Sequence, residues 1–299
     1  KPITMVVPFA AGGPTDVTAR IIAEPMGKAL GQNVLVENVV GAAGQTASTR
    51  VAGAAPDGYT IIMGHMGTHA ASVGLNPQLK YDPATSFQPI GLANASPIVV
   101  VARKDFPAKD LKEFIEYVQK NTDKVTQAHA GVGSVSSTTC ILFNAQAKLG
   151  KINAAAYRGT GPALNDLLGG QVDFMCDQTT NTTAQIKGGK VKAYGVTSLS
   201  RVPSLPELPT LDESGLKGFN VGVWHGIWAP KGTPKPVIDK LNGALQAALK
   251  DKDVIARLND LGATPEPPAR QTPEALRTHL AAEISKWGPI IKKAGIYAD

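Results

Sequence analysis

Short apolar runs of strand length alternate with helically spaced apolar positions along nearly the whole chain. Residues 3–7 form the first run, and Val17, Ile21, Ile22, Met26 and Leu30 then share one face of a helix over 16–30. Pro25 lies inside that helix and predicts a kink, because it cannot donate to the carbonyl four residues back. A strand over 33–37, a short helix over 44–53 and a strand over 59–63 follow, with a turn at Pro56-Asp57-Gly58 before the last. Residues 81–87 read as irregular, and 98–103 as a β-branched strand. Leu111, Phe114, Ile115 and Val118 have helical spacing. Three further strand–loop–helix cycles begin at 126, 152 and 172, and a strand over 191–197 closes the set. Three prolines between 203 and 209 exclude a regular element there. A strand over 221–228 and helices over 236–250, 253–261 and 273–294 complete the chain.

This alternation predicts an α/β protein with mostly parallel sheets covered by helices on both faces. Ligands of such sheets sit beyond the carboxyl ends of the strands, where the Gly/Ser/Thr-rich loops of this chain fall. The first of these loops is Pro8-Phe9-Ala10-Ala11-Gly12-Gly13-Pro14-Thr15-Asp16, between a strand and a helix. Free N–H groups at a helix start carry the positive end of its dipole, and two glycines let a ligand approach them closely. Such a loop holds an anion without a charged side chain; the plainer reading is an ordinary strand-to-helix turn. The second half repeats the device at Gly131-Val132-Gly133-Ser134-Val135-Ser136-Ser137. Its hydroxyls read both as helix caps and as ligand donors. Asp16 and Asp177 are each open to a structural or a ligand role, and Arg158 reads equally as an anion partner or a surface arginine.

Other chemistry is sparse. No nucleophile elbow, zinc-protease motif, phosphate-binding loop or Cys-x-x-Cys pair is present, and Gly131-x-Gly133-x-x-Ser136 lacks the third glycine of a dinucleotide site. His65 and His69 are spaced for a shared metal, but no third ligand accompanies them. Trp228 reads as core, and Trp224 as a residue able to line a cleft. Cys140 and Cys176 would fall on a helix and a strand of one lobe, which favours a bridge over two buried thiols.

Composition narrows the field further. A chain of 299 residues suits two lobes, and its 43% hydrophobic and 18% charged residues are ordinary for a globular protein. Aromatics at 5% and a net charge of +6, with no basic run, argue against a nucleic-acid partner. No apolar run reaches the roughly 20 residues of a membrane span. A start at Lys1 fits a chain processed after signal-peptide removal and equally a trimmed one.

The stretches PFAAGGPTDVTAR (8–20), APDGYTIIMG (55–64), YDPATSFQPIG (81–91), AGVGSVSS (130–137), YRGTGPALNDLLGGQVDFMCD (157–177), VTSLSRVPSLPELPTLDESG (196–215) and GIWAPKGTPKPVIDKLN (226–242) resemble the Bug family. These are periplasmic solute-binding receptors of tripartite tricarboxylate transporters, and the likeness runs end to end. It implies a two-lobed clamp of the type II periplasmic-binding class, without enzymatic activity or cofactor. The implied first lobe spans 1–98 and 224–299, the second 99–223, with a hinge near 97–101 and 221–225. A small carboxylate is the implied ligand: a dicarboxylate, an amino acid such as aspartate or glutamate, or an aromatic carboxylate. It would sit against Phe9, Ala11, Gly12, Gly13, Thr15 and Asp16, with Gly67 and Thr68 from the same lobe. Gly133, Ser134, Val135, Ser136, Ser137, Thr160, Gly161 and Ala163 would close over it, with Arg158 and Asp177 nearby. Relatives often carry a histidine where this chain has Ser137 and Thr138, so any ligand contact of that histidine is lost. The implied protein is a periplasmic monomer that delivers its ligand to membrane transporter components. A sensor for a signalling partner, or an enzyme on the same fold, is the alternative.

Overall fold

A computed structural model describes residues 1–295. In chain order its elements are β1 (Ile3–Val7), α1 (Pro14–Leu30), β2 (Val34–Asn38), α2 (Gln45–Ala52), β3 (Thr60–His65), α3 (Ser72–Leu75) and β4 (Phe87–Arg103). The second half holds α4 (Leu111–Lys120), β5 (Thr126–His129), α5 (Val135–Gln146), β6 (Asn153–Ala156), α6 (Thr160–Leu168), β7 (Phe174–Gln178), α7 (Thr179–Lys187) and β8 (Val191–Val196). β9 (Gly222–Pro230), α8 (Lys235–Lys250), α9 (Lys252–Asp260), β10 (Thr264–Pro265) and α10 (Pro273–Ala294) complete the described chain.

One ten-stranded sheet in the order β2-β1-β3-β9-β4-β7-β5-β6 carries both halves, with β8 and β10 paired to β4. β4 is the strand they share. Residues Phe87 to Pro97 pair with β9, whereas Ile98 onward pairs with β7 and β8. The chain returns at Val221, whose N–H bonds the Thr197 carbonyl just before β9 begins.

Parallel pairing is confined to β2-β1-β3 and β6-β5-β7, and the strands between them run antiparallel. Direction explains the mixture. β1 and β3 run toward the junction of the halves from one side, β5 and β7 from the other. β9 starts at the junction and runs away from it, so it opposes β3: His65 faces His225 and Ile62 faces Trp228. The carboxyl ends of β1, β3, β5 and β7 therefore confront one another.

Several boundaries differ from the sequence pattern in ways that matter to the site. β4 begins at Phe87 rather than 98, because register shifts beside Pro89 and Leu92 accommodate residues that break a strand pattern. β7 extends through Gln178, so Asp177 is a strand residue and not part of a loop. Residues Met66–Ala71 form a π-helical turn directly after β3. α1 runs through Pro25 as one helix. Cys140 on α5 and Cys176 on β7 are joined in a disulfide with Cα atoms 5.5 Å apart. Residues 296–299 of the expected first lobe lie outside the described residues.

Candidate functional site

Four helices begin where the strand ends meet. The start of α1 is capped by Gly13, that of α6 by Gly159 and that of α7 by Gln178, none with a side-chain hydrogen bond to the helix. Apart from Pro14, which has no N–H, the first residues of these helices thus leave N–H groups for other partners. α5 is capped by Ser134, whose Oγ accepts from the Ser137 N–H at 3.2 Å. Gly12 adopts φ +85° and Gly133 φ +92°, left-handed conformations that favour glycine and turn each loop into its helix.

Between these helix ends lies a cavity of about 20 Å³, room for about one water. Phe9, Gly13, Thr15, Ser134, Val135, Ser136, Thr160 and Asp177 line it, as the sequence led us to expect. Pro14, His65, Ala130, Cys176 and Gln178 line it as well. The walls touch: the Ala10 N–H donates to the Arg158 carbonyl at 3.0 Å across the cleft. A Cβ on Gly161 would stand 3.0 Å from the Gly13 nitrogen.

Polar side chains in the walls have settled roles. Ser136 Oγ accepts from the Ala130 N–H at 2.9 Å and lies 3.1 Å from Ser134 Oγ. One hydroxyl proton joins the two serines, which leaves the other for a ligand. Thr15 Oγ1 lies 3.1 Å from His225 Nε2, and His225 Nδ1 lies 3.0 Å from Asn94 Oδ1. An amide oxygen only accepts, so His225 carries its proton on Nδ1 and Thr15 donates to Nε2. Burial holds His225 well below the usual imidazole range.

His65 is the residue whose part the sequence did not reveal. Its Nδ1 accepts from the N–H groups of Gly67 at 2.9 Å and Thr68 at 3.3 Å, which assigns the proton to Nε2. Burial lowers its pKa to about 4, so the ring presents a neutral N–H donor near pH 7. Phe9 stacks on it at 5.1 Å between centroids. A polar residue ending a parallel strand, at a level with the Phe9 loop, was the available signal. The metal reading of the pair fails on geometry. His69 is stacked under Trp228 at 4.0 Å, and among the described residues no three His, Cys, Asp or Glu converge to hold a metal.

Asp177, 1% exposed, receives the Gln178 N–H at 2.8 Å on Oδ1 and the Asn181 Nδ2 amide on Oδ2. Burial outweighs these bonds and pushes its carboxyl up to about 7. No lysine or arginine lines the cavity with it.

Other expected contacts fall elsewhere. Asp16 turns back on its own lobe, accepting from Gly12 N at 2.9 Å, Asn38 Nδ2 at 2.9 Å and Arg20 Nε at 3.0 Å. Burial alone would raise its pKa, but these bonds and the Arg20 charge hold it below the usual carboxylate range. Gly67 and Thr68 spend their N–H groups on His65. Ala163 is in the core beside Val99 and Leu167. Ser137 faces a groove on the far side of α5 with His129 and Asn144. Ala11 and Gly12 support the loop from outside the cavity, Gly133 sets the turn into α5, and Gly161 packs on Gly13. Arg158 meets the first lobe through its carbonyl, and its side chain is exposed. Trp224 packs edge-on to His279 at 4.7 Å, away from the cavity. A larger open groove of about 760 Å³ lies beside α4 and the proline-rich loop. Its helix end is already capped by the Asp110 carboxylate, so it lacks the free donors of the small cavity.

Solved structures of known proteins share this fold. The structure of the periplasmic binding protein BugD is 52% identical, with a TM-score of 0.97, covering 100% of this chain and 99% of that one. MatC from Rhodopseudomonas palustris with bound malate is 49% identical, with a TM-score of 0.94, covering 97% and 98%. The R. palustris protein Rpa4515 with adipate is 31% identical, with a TM-score of 0.93, covering 100% and 98%. A family profile described as the tripartite tricarboxylate transporter family receptor matches residues 18–296. The chain therefore belongs to that family, whose members are solute-binding receptors and not enzymes.

Proposed function

We propose that this protein captures a small dicarboxylate between its two lobes and presents it to the membrane components of a tripartite tricarboxylate transporter. The observation that carries the reading is four helix N-termini that meet at one cavity lined by neither lysine nor arginine. Each such end contributes roughly 0.3–1 kcal/mol to an anion when exposed and up to about 2 when partly buried. Micromolar affinity needs about 8 kcal/mol, so the serine hydroxyls, the His65 N–H and exclusion of water on closure supply the remainder. Malate and adipate in the two R. palustris structures fit the same ligand class.

Residues 97–101 and 221–225 act as the hinge in this reading, since β4 changes partners after Pro97 and the chain recrosses at Val221. A dicarboxylate needs more than the space between the closed walls, so it enters an opened clamp and the jaws close on it. We place the protein in the periplasm as a monomer. Among the described residues no helix is long and apolar enough to cross a membrane. Denaturing the purified protein and identifying the released small molecules by mass spectrometry tests the reading. A stoichiometric carboxylate, with a matching thermal shift when added back, is expected. Turnover of the ligand, or no shift across a panel of mono- and dicarboxylates, overturns it.

A further inference from the structure

Asp177 is a buried acid without a counter-charge, in the wall of a cavity built for anions. Its surroundings are neutral on every side. β4 sets Val99 opposite it. α5 brings Ser134, Ser136 and the bridged Cys140. α6 brings the Thr160 hydroxyl into the same cavity wall, and the Asn181 amide on α7 donates to the carboxyl. Across the cavity stands neutral His65, with neutral His225 behind Thr15. On α1, Asp16 is already satisfied by Arg20 and Asn38.

A ligand dianion placed here brings a second carboxylate close to Asp177. Two carboxylates in one small, water-poor site do not both stay ionised. The fixed donors on Asp177 occupy one lone pair of each oxygen, so a proton has a place to sit. The Thr160 hydroxyl in the same wall is free to rotate and so can donate to the ligand.

We propose that Asp177 sets the charge of the bound complex: it takes one proton from solvent as a dicarboxylate binds, and its O–H then donates to the ligand's distal carboxylate. This rests on the carboxylate-receptor reading above. No covalent bond changes, and the proton returns to solvent on release. Burial, which already brings the group to about 7, makes the uptake inexpensive near neutrality.

Succinate is the probe, because it carries no hydroxyl or ammonium that could donate to an ionised Asp177. Calorimetric titration of the full chain in buffers of different ionisation heat reads the proton directly. Near pH 8.5 about one proton should be taken up per succinate, with affinity falling roughly tenfold per pH unit above about 7. Asp177→Asn should abolish the uptake and bind succinate about thirtyfold tighter than the native protein near pH 8.5. Succinate bound without proton exchange, with Asp177→Asn binding it no better, overturns this proposal and leaves the receptor reading standing. So does a site that takes monocarboxylates and refuses succinate. Failure of every carboxylate to bind at any pH overturns both.

Discussion

Two buried aspartates, Asp16 in the first turn of α1 and Asp177 near the end of β7, show how far environment, and not residue type, decides a role. Asp16 is held ionised by Arg20, Asn38 and the Gly12 N–H, so its stabilising contribution is present above the unfolded pKa of 3.8. That contribution is lost as pH falls through the still lower folded value. Asp16→Asn should cost about 1–3 kcal/mol near pH 7, and the deficit should shrink in acid, as denaturant unfolding at several pH values would measure. Asp177 has the opposite sign. Its pKa is raised to about 7, so its contribution is full below 3.8 and lost as pH rises through about 7. Asp177→Asn should therefore gain on the order of 2–4 kcal/mol near pH 8 and almost nothing near pH 4. Neither sign was legible in the sequence, where both acids simply end a strand or begin a helix. Their surroundings come from distant parts of the chain: Asn38 bonds one, and Ser134 and Thr160 share the cavity wall with the other. The same holds for His65, whose tautomer depends on a π-helical turn that no apolar period announces.

At the scale of elements, the alternation of apolar runs did reveal the strand–loop–helix cycles and which loops lie at carboxyl ends. What it hid was the shared strand β4. Pro89, Gly91 and Pro97 break the apolar pattern, yet register shifts let the strand run from Phe87 to Arg103. The pattern also could not tell that β9 runs antiparallel, since a strand's direction depends on the side from which the chain arrives. The disulfide binds two of the elements that form the cavity wall. Cys176 precedes Asp177, and Cys140 lies on the helix that starts at the serine loop. Closing a 36-residue separation in the unfolded chain is worth roughly 4 kcal/mol by chain entropy, and commonly 2–4 in practice. The Cys140→Ala/Cys176→Ala double variant should lose about that much stability and should also bind ligand more weakly. A variant with reduced stability but native affinity would confine the bridge to a purely structural part.

At the scale of the whole molecule, the two lobes meet on glycine. A Cβ on Gly161 would meet three backbone atoms of the opposite loop: Gly13 N at 3.0 Å, Gly12 C at 3.2 Å and Ala11 O at 3.3 Å. Beside it a Cβ on Gly159 would stand 3.0 Å from the Ala10 nitrogen, whose N–H crosses the cleft to Arg158. Backbone cannot rotate aside as a side chain can, so any side chain at 161 must hold the jaws apart by a few tenths of an ångström. Gly161 lies outside the cavity wall, and its φ is not left-handed, so alanine there strains the closed clamp and spares the fold. Apparent affinity is the intrinsic affinity multiplied by the closed-competent fraction. Gly161→Ala should therefore weaken ligand binding by on the order of tenfold, with thermal stability of the unliganded protein nearly unchanged. Crystal structures of the liganded variant and native protein should differ by a small displacement of the loop at residues 11–13 away from residue 161. If the variant closes to native dimensions and binds with native affinity, contact between these two loops does not govern the clamp, and the hinge alone sets its population.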